Sequence, residues 1–210
     1  MKITKYGHCS LLIEEGNLRI LTDPGNLSPA QAMAREVDLI LITHEHQDHF
    51  HLDSLREVLA NNPKAKIITN TAIAKLLRDA TLDGELLEDG GKKIFQGVQL
   101  EGFGTMHAEI YPTWPRVQNT GYMIAERLFY PGDAFYNPAR PVEVLALPVA
   151  GPWLKISEAI DYAKEVKPRI AFPVHDGGRV VGVTHLAPSK ILPTMGIEFL
   201  VPEESKMFEV

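Results

Sequence analysis

Apolar and polar positions along this chain follow two periods, and the switches between them mark out the elements. Ile3 to Tyr6 and Ser10 to Ile13 are β-prone, Glu15-Gly16-Asn17 is a turn signal, and Leu18 to Thr22 follows as a third strand. The chain therefore opens on antiparallel strands and not on a strand–helix–strand unit. Val37 to Thr43 (VDLILIT) is a continuous apolar run, the pattern of a strand buried on both faces. It ends at the histidine-rich stretch His44 to His51. Leu55, Val58 and Leu59 then sit at helical spacing behind a cap at Asp53 or Ser54. Lys66 to Thr69 reads as a strand and Thr71 to Arg78 as a short helix.

The second half is strand-rich and punctuated by glycine. Strands are predicted at Lys92–Phe95, Val98–Phe103, Met106–Ile110, Gly121–Ala125, Arg127–Tyr130 and Val142–Leu147. Ile156, Ala159, Ile160, Ala163 and Val166 repeat at helical spacing, and Pro168 closes that helix. Ile170 to Val174 is a strand ending at His175. A short helix near Pro188–Leu192 and a strand at Glu198–Val201 complete the pattern. Strands first, then strand–helix alternation, then the same again, fit two β-sheets packed together with helices outside. With no linker-like stretch and no repeat of fixed period, one domain over residues 1–210 is expected.

Composition narrows the classes. The net charge is −6 with no Lys/Arg run, which disfavours a nucleic-acid partner, since such binders use a basic patch to displace counterions. Cys9 is the one cysteine, so an intramolecular disulfide is ruled out, and it is read as lying inside a β-prone segment. Lys5, His8 and Glu14 interrupt the N-terminal apolar positions, and no stretch approaches the ~18 apolar residues of a membrane span. A cytoplasmic protein acting on a small molecule is the expectation, and a homo-oligomer is compatible with it.

The chemistry concentrates in Thr43-His44-Glu45-His46-Gln47-Asp48-His49. In extended backbone, residues two apart point the same way, so His44 and His46 can reach one cation. Asp48 and His49 project differently and can serve a second. The segment leaves a buried strand, which gives rigid anchorage, and enters a loop, which gives access.

THEHQDH resembles the His-x-His-x-Asp-His signature of the metallo-β-lactamase superfamily, and the family's other elements follow in order. Gly104-Thr105-Met106-His107, Tyr130-Pro131-Gly132-Asp133 and Phe172-Pro173-Val174-His175 match its later ligand positions. The resemblance implies an α/β four-layer αββα sandwich with two divalent ions at one edge. His44, His46 and His107 would hold the first, Asp48, His49 and His175 the second, and Asp133 would touch both. Zinc is the first expectation, with manganese or iron as alternatives. Asp23 matches an early aspartate that orients the metal loops. Phe50-His51-Leu52 and the opening Tyr6-Gly7-His8 are more similar to the branch containing ascorbate-6-phosphate lactonase than to true β-lactamases.

His8 is expected beside the site, supporting a loop. His51 is read as an outer or solvated residue, and His185 as a candidate proton donor. Trp114 and Trp153, in Pro-rich loops, are candidates for a substrate wall, with Arg116 and Asn119 as contacts for an anionic group. Paired ions activate water for attack on carbonyl or phosphorus, Asp48 would act catalytically by steering it, and no Gly-x-Ser-x-Gly elbow offers a serine route. The function expected is therefore hydrolysis of a small ester, lactone or phosphoester. The alternatives are a phosphodiesterase or nuclease of the same fold, a di-iron redox protein, and a non-catalytic member.

Overall fold

The computed structural model describes residues 1–177 and 182–210. Strands β1 (Lys2–Lys5), β2 (Leu11–Glu15) and β3 (Leu18–Thr22) form the opening antiparallel meander. A 3-10 turn at Pro29–Met33 leads to β4 (Leu39–Leu41), then helix α1 (Leu52–Asn61), β5 (Lys66–Thr69), α2 (Thr71–Asp79) and β6 (Glu85–Leu86). The second half repeats the scheme. A meander of β7 (Lys92–Phe95), β8 (Val98–Phe103), β9 (Gly121–Ile124) and β10 (Leu128–Tyr130) runs into β11 (Val144–Pro148), α3 (Ile156–Val166), β12 (Ile170–Val174), α4 (Leu186–Ile191), a 3-10 turn and β13 (Glu198–Phe199). The last strand, β14 (Met207–Glu209), returns to pair with β1.

Two sheets result, ordered β14-β1-β2-β3-β4-β5-β6 and β13-β12-β11-β10-β9-β8-β7. In each, the antiparallel meander gives way to parallel pairs, β3·β4·β5·β6 in one and β10·β11·β12·β13 in the other. Parallel pairing requires crossovers, and the helices supply most of them: α1, α2, α3 and α4.

Side-chain alternation sorts the apolar residues into three layers. Leu39 and Leu41 of β4 point between the sheets, with Leu11, Ile13, Tyr122, Val144 and Phe172. Ile40 and Ile42 point the other way, against Leu55 and Val58 of α1 and Ile73 and Leu77 of α2. On the far side, Leu145 and Leu147 of β11 meet Ala159, Ile160 and Ala163 of α3. A strand covered on both faces carries no polar positions to alternate with, which is why Leu39 to Ile42 reads as an unbroken apolar run. The four-layer αββα sandwich is the architecture expected from the sequence. No helix among the described residues is long and apolar enough to cross a membrane.

Three local expectations differ. Met106–Ile110 is no strand: Gly104, at φ +76°, turns the chain out of β8, and only Met106 bridges to Gln118. Helix α1 is capped neither by Asp53 nor by Ser54 but by His51, whose ring accepts the Ser54 amide. Cys9 lies in the buried turn between β1 and β2, outside both strands.

This topology positions the site. The carboxyl ends of β3, β4, β10, β11 and β12 deliver Asp23, His44, Asp133, Trp153 and His175 to one edge of the sandwich. That edge is where open parallel sheets bind their ligands.

Candidate metal centre

The structure gathers the motif residues into two groups. Donor atoms of His44, His46, His107 and Asp133 lie within 4.8 Å of one another, as do those of His8, Asp48, His49 and His175. Asp133 joins the groups. Its Oδ2 is 2.8 Å from His175 Nε2, 3.3 Å from His107 Nε2 and 4.0 Å from His44 Nε2, and its Oδ1 is 3.1 Å from His49 Nε2. Asp48 Oδ2 lies 3.4 Å from His175 Nε2 and 4.0 Å from His49 Nε2.

Hydrogen bonds behind the rings decide which nitrogen faces the cluster. His107 Nδ1 is 2.6 Å from the Ala108 carbonyl, which can only accept, so Nδ1 carries the proton. His49 Nδ1 is 2.7 Å from Asp23 Oδ2, with the same consequence. Thr43 Oγ1 donates to Asp23 Oδ2 at 2.7 Å and so accepts from His44 Nδ1 at 3.0 Å. In all three residues Nε2 faces the cluster. These three Nε2 atoms and Asp133 Oδ1 are buried without a hydrogen-bond partner among the described residues. Leaving a buried polar atom unpaired costs about 1–3 kcal/mol. Four together in one place fit a set of donors built for a cation.

Asp23 is the hub of this support. Fully buried, it accepts from Thr43 N (2.8 Å), Thr43 Oγ1, His49 and the Tyr130 hydroxyl, so β3, the motif loop and β10 share one carboxylate. Asp23 and His175 both hold left-handed backbone, at φ +36° and +58°. For a residue with a Cβ this costs roughly 1–2 kcal/mol, and such strain clusters at functional sites.

The two groups differ electrically. Burial and the neighbouring imidazoles, His49 first, hold His44 well below the ordinary histidine range, and burial together with His107 lowers His46. Burial also disfavours charge on His49 and His175, but Asp133 outweighs it: His49 is raised well above the usual value and His175 is pushed up to about 10. Against the burial that opposes it, His49 and His175 hold Asp133 far below the carboxylate range, and His175 and His8 do the same for Asp48. Burial pushes the Cys9 thiol up, yet adjacent His49 and His8 bring it down to about 6.

The residues proposed for substrate fall in different places. Trp114 is 62% exposed on the loop that follows His107. Arg116, also exposed, donates from Nε to the His107 carbonyl at 2.7 Å and so braces that loop. Asn119 is buried. Its Nδ2 donates to Pro131 O at 2.9 Å and its Oδ1 accepts Asp133 N at 3.1 Å, so it holds the turn that carries Asp133. Trp153 is no exposed wall either. Its indole Nε1 donates to Asp133 Oδ2 at 2.8 Å, and its ring meets His107 and His175 edge-on. A lone tryptophan after Gly-Pro gives no sequence signal of that bond. His185 Nε2 pairs with Asp176 at 2.8 Å.

Residues 2–175 match the family model described as the Beta-lactamase superfamily domain. The chain belongs to the β-lactamase superfamily. Within it, the chain is 36% identical over 180 residues to Protein Rv0786c of Mycobacterium tuberculosis, covering 83% of this chain and 84% of that one. It is 33% identical over 131 residues to a UPF0173 metal-dependent hydrolase of Flavobacterium johnsoniae, covering 60% and 57%. Igni18, a metallo hydrolase from the hyperthermophilic archaeon Ignicoccus hospitalis, superposes with a TM-score of 0.78 at 21% identity, covering 100% of this chain and 98% of its own, a likeness of fold.

Proposed function

We propose that this metal-dependent hydrolase of the superfamily holds two divalent ions, zinc first among the candidates, and cleaves a small ester, lactone or phosphoester. His44, His46 and His107 would hold one ion and Asp48, His49 and His175 the other, with Asp133 serving both. The observation that carries this reading is the set of buried, unpartnered Nε2 atoms on His44, His49 and His107 around Asp133. When bound, such ions supply water activation at neutral pH and Lewis-acid polarisation of the substrate oxygen.

The chain's own residues supply orientation. Asp48 is the more exposed of the two cluster carboxylates, with 28% of its side chain open against 3% for Asp133. It would help hold the second ion and steer an attacking water. Trp153 fixes one oxygen of Asp133, and Asn119 fixes its backbone. Exposed Trp114 and Tyr111, on the loop after His107, offer an apolar wall, and Arg116 a contact for an anionic group. The preference for a lactone or carboxyl ester over a phosphodiester rests on the lactonase-like Tyr6-Gly7-His8 and Phe50-His51-Leu52 segments.

Elemental analysis of the purified protein beside a His46→Ala variant tests the reading. About two equivalents of zinc or manganese per chain, falling sharply in the variant, are expected of a two-ion hydrolase. Iron in their place would favour redox chemistry. No ion after reconstitution would refute it.

A further inference from the structure

His8 is one of the four residues whose donor atoms converge in the second group, and by composition alone it would count as a fourth ligand. Its surroundings argue otherwise. The backbone N–H of Gly177 donates to His8 Nδ1 at 3.0 Å. A ring nitrogen that accepts a hydrogen bond carries no proton, so the neutral imidazole keeps its single proton on Nε2. That Nε2 is 3.1 Å from Asp48 Oδ2. Nε2–H therefore donates to the carboxylate and has no lone pair for a cation. His44 and His107 have the opposite tautomer, with Nδ1 committed to an oxygen and Nε2 turned to the cluster.

We propose that His8 is the positioning residue of the second group: it holds the Asp48 carboxylate through Nε2–H and does not ligate. The functional consequence rests on the two-ion reading above, whereas the tautomer does not. Other contacts fit the role. His8 is 2% exposed, its carbonyl accepts His175 N at 3.0 Å, and its ring lies 4.2 Å from that of His175. One residue on the β1–β2 turn thus ties down the backbone of His175 and Gly177 and the side chain of Asp48. The glycine is part of the device. A Cβ at position 177 would stand 2.8 Å from His8 Cβ and 3.0 Å from Nδ1, so only glycine lets the amide reach the ring.

Long-range proton–nitrogen spectra of protein labelled with 15N-histidine, with and without zinc, test the assignment. His8 signals are identified by their loss in His8→Gln. The expected result is a protonated Nε2 and an unprotonated, hydrogen-bonded Nδ1 in both states. Zinc titration should show the tighter-binding ion unchanged in His8→Ala and the other weakened ~10–100-fold, the range for lost outer hydrogen bonds to a ligand. His8→Gln, which keeps an N–H donor, should recover most of that loss. A zinc-shifted His8 Nε2 on loading would overturn the proposal, as would wild-type affinity of His8→Ala for both ions. If the wild type binds no zinc, the two-ion reading fails alone, and the Nε2–H signal still decides whether His8 holds Asp48.

Discussion

Titrating zinc into the cation-free protein near pH 7 should release protons unevenly from the two groups. His44 and His46 have lowered pKa values, so they are neutral at pH 7 and give up nothing when a cation arrives. His175, pushed up to about 10, is almost wholly protonated there, and His49 is raised as well. Because a ligand must be deprotonated, filling the second group expels about two protons, one from each ring. Linkage then makes the affinity of that group change by about 100-fold per pH unit near neutrality, weakening as pH falls, while His44 and His46 add nothing to that slope. Ionisation of bound water adds about one proton at most at pH 7. Isothermal titration in two buffers of different ionisation enthalpy measures the count. Near two or three in total, falling by about one in His175→Gln, is the expected result. A total near zero, or equal release from both binding events, would refute the charge assignment.

Other perturbations reach the same site from behind. Trp153→Phe removes the indole donor to Asp133 Oδ2, and hydrogen bonds to charged groups are worth about 1.5–3 kcal/mol, so zinc affinity should fall about 10–100-fold with an unchanged circular dichroism spectrum. Asp23→Asn uncouples Thr43, His49 and Tyr130 from a buried carboxylate and should cost about 3–5 kcal/mol of unfolding free energy in denaturant titration. Gly25→Ala would place a Cβ 1.8 Å from the Asp48 carbonyl oxygen, so zinc stoichiometry should drop towards one per chain, and two retained ions would count against it. The cation-free protein carries a linkage signature of its own. His175 has a folded pKa of about 10 against 6.5 unfolded, so its stabilisation is complete below pH 6.5 and is lost as pH rises towards 10. The melting temperature of the cation-free form should therefore fall across that window.

The motif segment was legible in the sequence because five ionisable ring or carboxylate groups crowd into six residues after an apolar run. Chance rarely interleaves His44, His46, Asp48 and His49 in this way. The family resemblance nominated His107, Asp133 and His175, and the structure brings all seven to one edge. What was not legible depends on contacts between residues distant in the chain. His8 precedes the motif by 36 positions, and its role is set by the Gly177 amide. The role of Trp153 requires knowing that β11 lies beside β10. Asn119 looked like a substrate contact because an isolated polar residue gives no hint that both its amide atoms are spent on the Asp133 turn. The Met106–Ile110 strand failed for a local reason, the left-handed Gly104 that sends this stretch outward as a loop. The two-residue and three-residue strands β6 and β14 are too short to show a period.

The placement of the site has an energetic consequence for the whole fold. His8, Asp23 and His44 to His49 come from the first sheet and its turns, whereas His107, Asp133, Trp153 and His175 come from the second. Without a cation, four unpaired donor atoms meet where the sheets' edges converge, opposing the apolar layer that joins the sheets. Ions held as proposed would reverse that sign, since they would pair those atoms and cross-link both sheets at once. Binding only to the folded state at 1,000 times Kd adds about 4 kcal/mol per site, so loading should stabilise the sandwich as a unit. Hydrogen exchange should then slow in strands of both sheets, β4 and β12 alike. Protection confined to the motif loop would mean that the ions decorate one edge and do not join the halves.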